Sequence, residues 1–188
     1  MVTERLVVLD RDGVINHDSA AFIKSPDEWQ PIAGSLEAIA ALCADGFTIA
    51  VATNQSGLGR GLLQPFDLEL IHDKMLQQVA AAGGRIDHIV FCPHLPEDGC
   101  DCRKPAPGLL LQLAVHYGIS MQGVPVIGDS ARDLQAAAAV DARPMLVLTG
   151  NGRRTAASQR GAGAQVESYA DLAAAARQLL DEQRGAAG

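Results

Sequence analysis

Leu6-Val7-Val8-Leu9-Asp10-Arg11-Asp12-Gly13 is a run of four apolar residues that stops abruptly at a charged turn. An apolar run without polar alternation suits a strand buried on both faces, as in a parallel sheet, and Asp10 then falls at its C-terminal end. Similar runs recur at Thr48 to Ala52, Ile86 to Phe91, Val124 to Ile127 and Met145 to Leu148. Between them the period changes to that of a helix. Leu36, Ile39, Ala40 and Cys43 share one face, as do Leu68, Ile71, Met75 and Val79. A third helix after Pro107 carries Leu110, Leu113, Ala114 and Tyr117 and stops at Gly118. A fourth is predicted from about Ser130 through Ala139, and a fifth from Tyr169 to Leu180. Alternating strands and helices predict an α/β fold: a parallel sheet with helices on both faces, whose ligands bind beyond the C-terminal strand ends.

The chain has 188 residues with 15 Lys and Arg against 22 Asp and Glu, a net charge of −7. This length suits a single core. The expected organisation is one catalytic domain over residues 1–183 and a frayed tail over 184–188. The acid balance argues against a nucleic-acid partner, which needs a basic surface. No apolar run approaches the roughly 18 residues of a membrane span, and the N-terminus lacks the pattern of a signal peptide. A cytoplasmic monomer without membrane contact is therefore expected. Gly150 to Gly163, which includes three Arg, reads as a flexible loop.

The predicted strand ends carry the chemistry. Asp10-x-Asp12-Gly13 follows the first strand, Thr53-Asn54-Gln55-Ser56-Gly57 the second, Cys92-Pro93-His94 the third and Gly128-Asp129-Ser130 the fourth, with Asp133 one helical turn on. Asp10-x-Asp12-Gly13 alone could be an acidic turn. Joined by Asp129 and Asp133, its carboxylates repel one another unless a cation sits among them, and an all-oxygen set favours Mg²⁺. Thr53 adds a hydroxyl with backbone N–H groups after it, and Lys104 a point charge, which together describe a phosphoryl site.

Cys92-x-His94-x5-Cys100-x-Cys102 offers three sulfurs and an imidazole, a full tetrahedral set for Zn²⁺ with no position left for water. The zinc is expected to be structural, holding the loop that carries Arg103 and Lys104. A disulfide is disfavoured in a reducing compartment, and a nucleic-acid finger by the charge. Cys43 lies on an apolar stripe and reads as a packing residue. His72 and His116 are read as structural.

The ordered set Asp10-x-Asp12-Gly13, Thr53, Lys104 and Gly128-Asp129 with Asp133 resembles the four motifs of the haloacid dehalogenase superfamily, mostly phosphatases on a three-layer Rossmann-like sheet. The longer strings Asp10 to Asn16, Thr53 to Gly57, Cys92-Pro93-His94 and Cys100 to Pro105 resemble its branch acting on heptose bisphosphate, and the related histidinol-phosphate phosphatases. The resemblance implies an Asp10 nucleophile that forms an aspartyl-phosphate, and a general acid–base role for Asp12. That role calls for a raised Asp12 pKa. It further implies Mg²⁺ on the Asp10 side chain, the Asp12 backbone carbonyl and Asp129, with Thr53 and Lys104 stabilising the phosphoryl oxygens. Substrate contacts would come from Asp10, Arg11, Asp12, Asp18, Thr53, Asn54, Gln55, Ser56, Arg103 and Lys104. Asp133 would orient metal-bound water or Lys104, or act simply as a helix N-terminal carboxylate.

Members of the superfamily often carry an inserted cap domain. Here Asn16 to Pro31 and Phe66 to Phe91 are too short for one, so no cap domain is expected. The chain departs from the branch at Ser19-Ala20-Ala21-Phe22, where Gly-Tyr is frequent, and at Ser130 and Asn151, where Lys occurs. Arg60, Arg103 and Arg153 remain as cations for a second phosphate.

Overall fold

The computed structural model describes residues 5–159 and 166–186. The elements in chain order are β1 (Arg5–Leu9), α1 (Ser35–Ala44), β2 (Phe47–Asn54), α2 (Pro65–Ala81), β3 (His88–Cys92), α3 (Gly108–Tyr117) and β4 (Pro125–Gly128). They continue with α4 (Ala131–Ala138), β5 (Arg143–Val147), α5 (Gly152–Gln159), β6 (Glu167–Tyr169) and α6 (Leu172–Ala186). The six strands are parallel and lie in the order β3-β2-β1-β4-β5-β6. The chain winds outward from β1 in both directions, which opens a crevice between the ends of β1 and β4.

Both faces of the sheet are covered, as the continuous apolar runs require. Val7 and Leu9 of β1 and Ile49 and Val51 of β2 point to one side, where they pack with Ile39 and Leu42 of α1, Ile71 and Met75 of α2, and Ala175 and Leu179 of α6. Leu6 and Val8, with Ala50 and Ala52, point to the other side, against Leu109 and Leu113 of α3 and Ala136 and Ala137 of α4. Small residues on the second face let α3 and α4 lie close to the strands. Trp29, the only tryptophan, is 1% exposed in the first core.

Three expectations change. The segment from Gly150 is expected to be a loop, yet residues 152–159 form α5; residues 160–163 lie outside the described residues. That helix has no apolar stripe. It is held instead by Thr155 Oγ1, which donates to the Asp129 carbonyl at 2.9 Å, and by close packing of Gly152 on the Val147 carbonyl. The strand β6 was missed because Glu167-Ser168-Tyr169 is short, polar and at the sheet edge, so α6 begins at Leu172 rather than Tyr169. At the C-terminus α6 continues to Ala186 through the expected tail, with residues 187 and 188 outside the described residues.

No cap domain interrupts the described residues at either expected position. Residues 16–31 form a loop with one 3₁₀ turn at Pro26–Glu28, and the interval after β2 holds only α2 and β3. No helix among the described residues is long and apolar enough to cross a membrane.

Candidate active site

Because β2, β1 and β4 are neighbours, their C-terminal ends bring Thr53, Asp10 and Asp129 together. The Asp10 N–H donates to the Ile127 carbonyl at 2.9 Å, so the β1–β4 ladder runs into the charged turn and fixes the nucleophile candidate beside Gly128-Asp129. Gly13 then turns the chain with φ of 84°, and a Cβ there would strike the Asp129 carboxylate. The motif glycine thus serves both backbone conformation and the close approach of two strand ends.

Lys104 is the hub of the charge arrangement. It is 4% exposed, and its ammonium lies 3.1 Å from Asp10 Oδ1 and 2.5 Å from Asp133 Oδ1 and donates to the Ala52 carbonyl at 2.8 Å. Burial works against its charge, but Asp10 and Asp133 outweigh burial and raise its pKa. Asn54 grips the Lys104 backbone from both sides, its Nδ2 donating to the carbonyl at 3.0 Å and its Oδ1 accepting from the amide at 3.1 Å. Asp133 orients Lys104 and caps α4 at once. Its Oδ2 accepts from the Ser130 amide at 3.0 Å and the Ser130 hydroxyl at 2.6 Å.

The Asp12 carboxylate is held differently from the sequence expectation. Arg11 Nε and Nη2 donate to its two oxygens at 3.0 and 2.9 Å, Asn16 Nδ2 at 2.8 Å and Gln55 Nε2 at 2.9 Å. Burial raises the Asp12 pKa, but the Arg11 charge and these hydrogen bonds prevail and lower it below the usual carboxylate range. The expected raised value is therefore corrected for the free protein. Arg11, expected to touch substrate, is 0% exposed and spends its donors on Asp12, Gln55 and His72. Its Nη1 lies 3.3 Å from His72 Nε2. Since a guanidinium can only donate, that ring nitrogen accepts, and His72 must be neutral there. Burial first and the Arg11 charge second push the His72 pKa down to about 4. His72 is thus a partner of Arg11, a role invisible in sequence because 61 positions separate the two.

The remaining carboxylates suit a hard cation. Asp10, Asp129 and Asp133 offer oxygens within 4.8 Å of one another, and Asp133 is already engaged by Lys104 and Ser130. Burial and the neighbouring carboxylates raise the Asp10 pKa against the pull of Lys104, and burial leads in raising Asp129 to about 6. A divalent cation would relieve both. Asn151, named in the sequence only as a departure, steadies Asp129: its backbone N–H and Nδ2 donate to Asp129 Oδ2 at 2.7 and 3.2 Å.

Cys92, His94, Cys100 and Cys102 also converge within 4.8 Å. Sulfur–sulfur separations are 3.1, 3.5 and 3.6 Å, and His94 Nδ1 lies 3.2 and 3.6 Å from two of the sulfurs. A tetrahedron with ~2.3 Å metal–sulfur arms has edges of about 3.7 Å, so the cluster fits Zn²⁺. Cys43 stays apart, packed beside the first core. His116 stacks on His88 with ring centroids 3.9 Å apart, and neither lines the cavity between the strand ends.

The cavity between these groups has a volume of about 340 Å³. Asp18, Thr53, Asn54, Gln55, Ser56 and Arg103 line it together with the carboxylates and Lys104. Arg60 lines it too, whereas Arg153 does not. Arg132 also reaches the cavity and was not anticipated.

Parallel strands around a switch point, with an aspartate nucleophile candidate paired to a buried lysine beside two further carboxylates, define a hydrolase of the haloacid dehalogenase-like class, a phosphoric monoester hydrolase. A family model described as HAD-hydrolase-like matches residues 101–175. The D-glycero-beta-D-manno-heptose-1,7-bisphosphate 7-phosphatase of Bordetella bronchiseptica is 54% identical over 95% of this chain and 99% of its own. That of Pseudomonas putida is 52% identical over 94% and 99%. The crystal structure of the Bordetella bronchiseptica D,D-heptose 1,7-bisphosphate phosphatase, complexed with magnesium and phosphate, has a TM-score of 0.91 at 53% identity, covering 95% of this chain and 99% of that one. The Burkholderia thailandensis structure has a TM-score of 0.74 at 45% identity, covering 94% and 99%. This chain belongs to the D-glycero-beta-D-manno-heptose-1,7-bisphosphate 7-phosphatase family.

Proposed function

We propose that the protein hydrolyses the 7-phosphate of D-glycero-D-manno-heptose 1,7-bisphosphate through an aspartyl-phosphate, as a single capless catalytic domain working in the cytoplasm as a monomer, in the synthesis of nucleotide-activated heptose. The observation that carries the reading is the identity of more than half the residues to relatives named for this reaction, across nearly the whole chain.

In this reading Asp10 attacks phosphorus while Lys104, already beside it, draws charge from the equatorial oxygens. Thr53 and the backbone after it take the remaining oxygens. Mg²⁺, held by the Asp10 side chain, the Asp12 carbonyl and Asp129, would offset the repulsion between nucleophile and phosphate. Asp12 enters as a carboxylate. The charge of an arriving phosphate favours its protonated form, so it takes up a proton from solvent and delivers it to the leaving alkoxide as the phosphorus–oxygen bond breaks. Returned to the carboxylate, it accepts a proton from the water that cleaves the aspartyl-phosphate. Cys92, His94, Cys100 and Cys102 would hold Zn²⁺, which would keep the loop bearing Arg103 and Lys104 in place, and Arg103 recognises the substrate.

Steady-state turnover of heptose 1,7-bisphosphate and histidinol phosphate tests the substrate; a preference for the latter overturns it. Asp10→Asn is expected to lower turnover by roughly 10³-fold or more while the fold persists. A variant retaining most of the activity rules out the aspartyl-phosphate route.

A further inference from the structure

Arg132 has no assigned role, and its position is unfavourable on local grounds. It is the second residue of α4, where the partial positive charge of the helix N-terminus disfavours a cation. It is exposed and has no ion pair among the described residues, although Asp133 is next to it in sequence. Nothing in the fold of α4 calls for it: the capping box is made by Ser130 and Asp133, and the buried face by Leu134, Ala136 and Ala137.

The cavity supplies a context. Arg132, Arg103 and Arg60 all line it, and none of the three pairs with a carboxylate among the described residues. They come from three separate places: Arg60 from the turn after β2, Arg103 from the zinc loop and Arg132 from the start of α4. Arg103 Nη1 donates to the His94 carbonyl at 3.1 Å, which anchors that guanidinium to the zinc loop. Arg60 lies over the Phe22 ring, 5.9 Å from its centroid. Three guanidiniums that line one cavity and pair with none of its carboxylates among the described residues are free to meet an anion together. The cavity's other cation, Lys104, is committed to Asp10 and Asp133.

We infer that Arg132 is a specificity residue which, with Arg60 and Arg103, binds the second, non-reacting anionic group of a doubly phosphorylated substrate. The first phosphate meets Asp10 and Lys104, while the arginines engage an anion at the cavity's rim. The inference rests on the bisphosphate reading above.

The test is the ratio of kcat/KM for heptose 1,7-bisphosphate to kcat/KM for p-nitrophenyl phosphate, which has no second anion. The ratio does not depend on how much enzyme is folded. It is expected to fall about 10- to 100-fold in Arg132→Gln, to fall further in Arg132→Glu and to be largely restored in Arg132→Lys. An unmoved ratio in Arg132→Gln and Arg132→Glu overturns the role of Arg132. A parent enzyme that does not favour the bisphosphate overturns the substrate reading itself, which separates the two failures.

Discussion

At the residue scale, the site is governed by what each carboxylate touches rather than by its place in a motif. Asp10 and Asp12 are two positions apart, yet burial and like charges raise the pKa of the first while the Arg11 fork lowers that of the second. The fork depends on a neutral His72. Its folded pKa of about 4 lies below the ordinary value of 6.5, so an unfolded chain binds more protons between those limits. The stability His72 contributes is therefore full above pH 6.5 and is lost as pH falls toward 4, at up to about 1.4 kcal/mol per pH unit. Replacing His72 by Gln, which keeps an acceptor but does not titrate, should flatten this dependence. Urea unfolding of parent and variant at pH 7.5 and pH 5 measures it, and equal losses in both would reject the assignment. Nothing local in the sequence pairs Arg11 with His72, because the contact exists only once α2 has packed beside the β1 turn.

At the element scale, loops and helix ends do what the strands cannot. The first turn of α4 presents Asp133 to Lys104, and Asn151 just before α5 and Thr155 within it support Asp129. The Cys92–Cys102 loop holds Arg103 through the His94 carbonyl, while Asn54 clamps the Lys104 backbone. Elemental analysis of the purified protein is expected to find about one zinc per chain. Cys100→Ser should lose that zinc, expose the loop to proteolysis and lower activity through displacement of Arg103 and Lys104. A zinc-free protein that remains fully active would refute the structural role. The helix α4 was readable from its start near Ser130 and the alanine run to Ala139, whereas its capping box between Ser130 and Asp133 is seen only in the structure. By contrast α5, whose only apolar side chains are the adjacent Ala156 and Ala157 and which is fastened to a backbone carbonyl outside the helix, left no periodic signal to read.

Across the whole molecule, one sheet joins two cores. Residues of β1 and β2 alternate between them, Val7 and Leu9 on one side, Leu6 and Val8 on the other, so neither face can open without loosening the other. Trp29 reports the first core and Leu113 is fully buried in the second. Leu113→Ala should therefore destabilise the fold by about 2–5 kcal/mol as read from Trp29 fluorescence, with far-UV dichroism following the same transition. A Trp29 transition unaffected by this substitution would mean that the two faces unfold separately. Sequence alone determined the alternation of strands and helices, the ends that carry chemistry and the tetrad of zinc-type ligands, because those signals are periodic or closely spaced. Tertiary structure decided the edge strand β6, the polar helix α5, the proton affinity of Asp12, the burial of Arg11 and the convergence of Arg60, Arg103 and Arg132. Each of these depends on contacts between distant segments, and burial and charge at a point in space are sums over neighbours that the order of residues does not reveal.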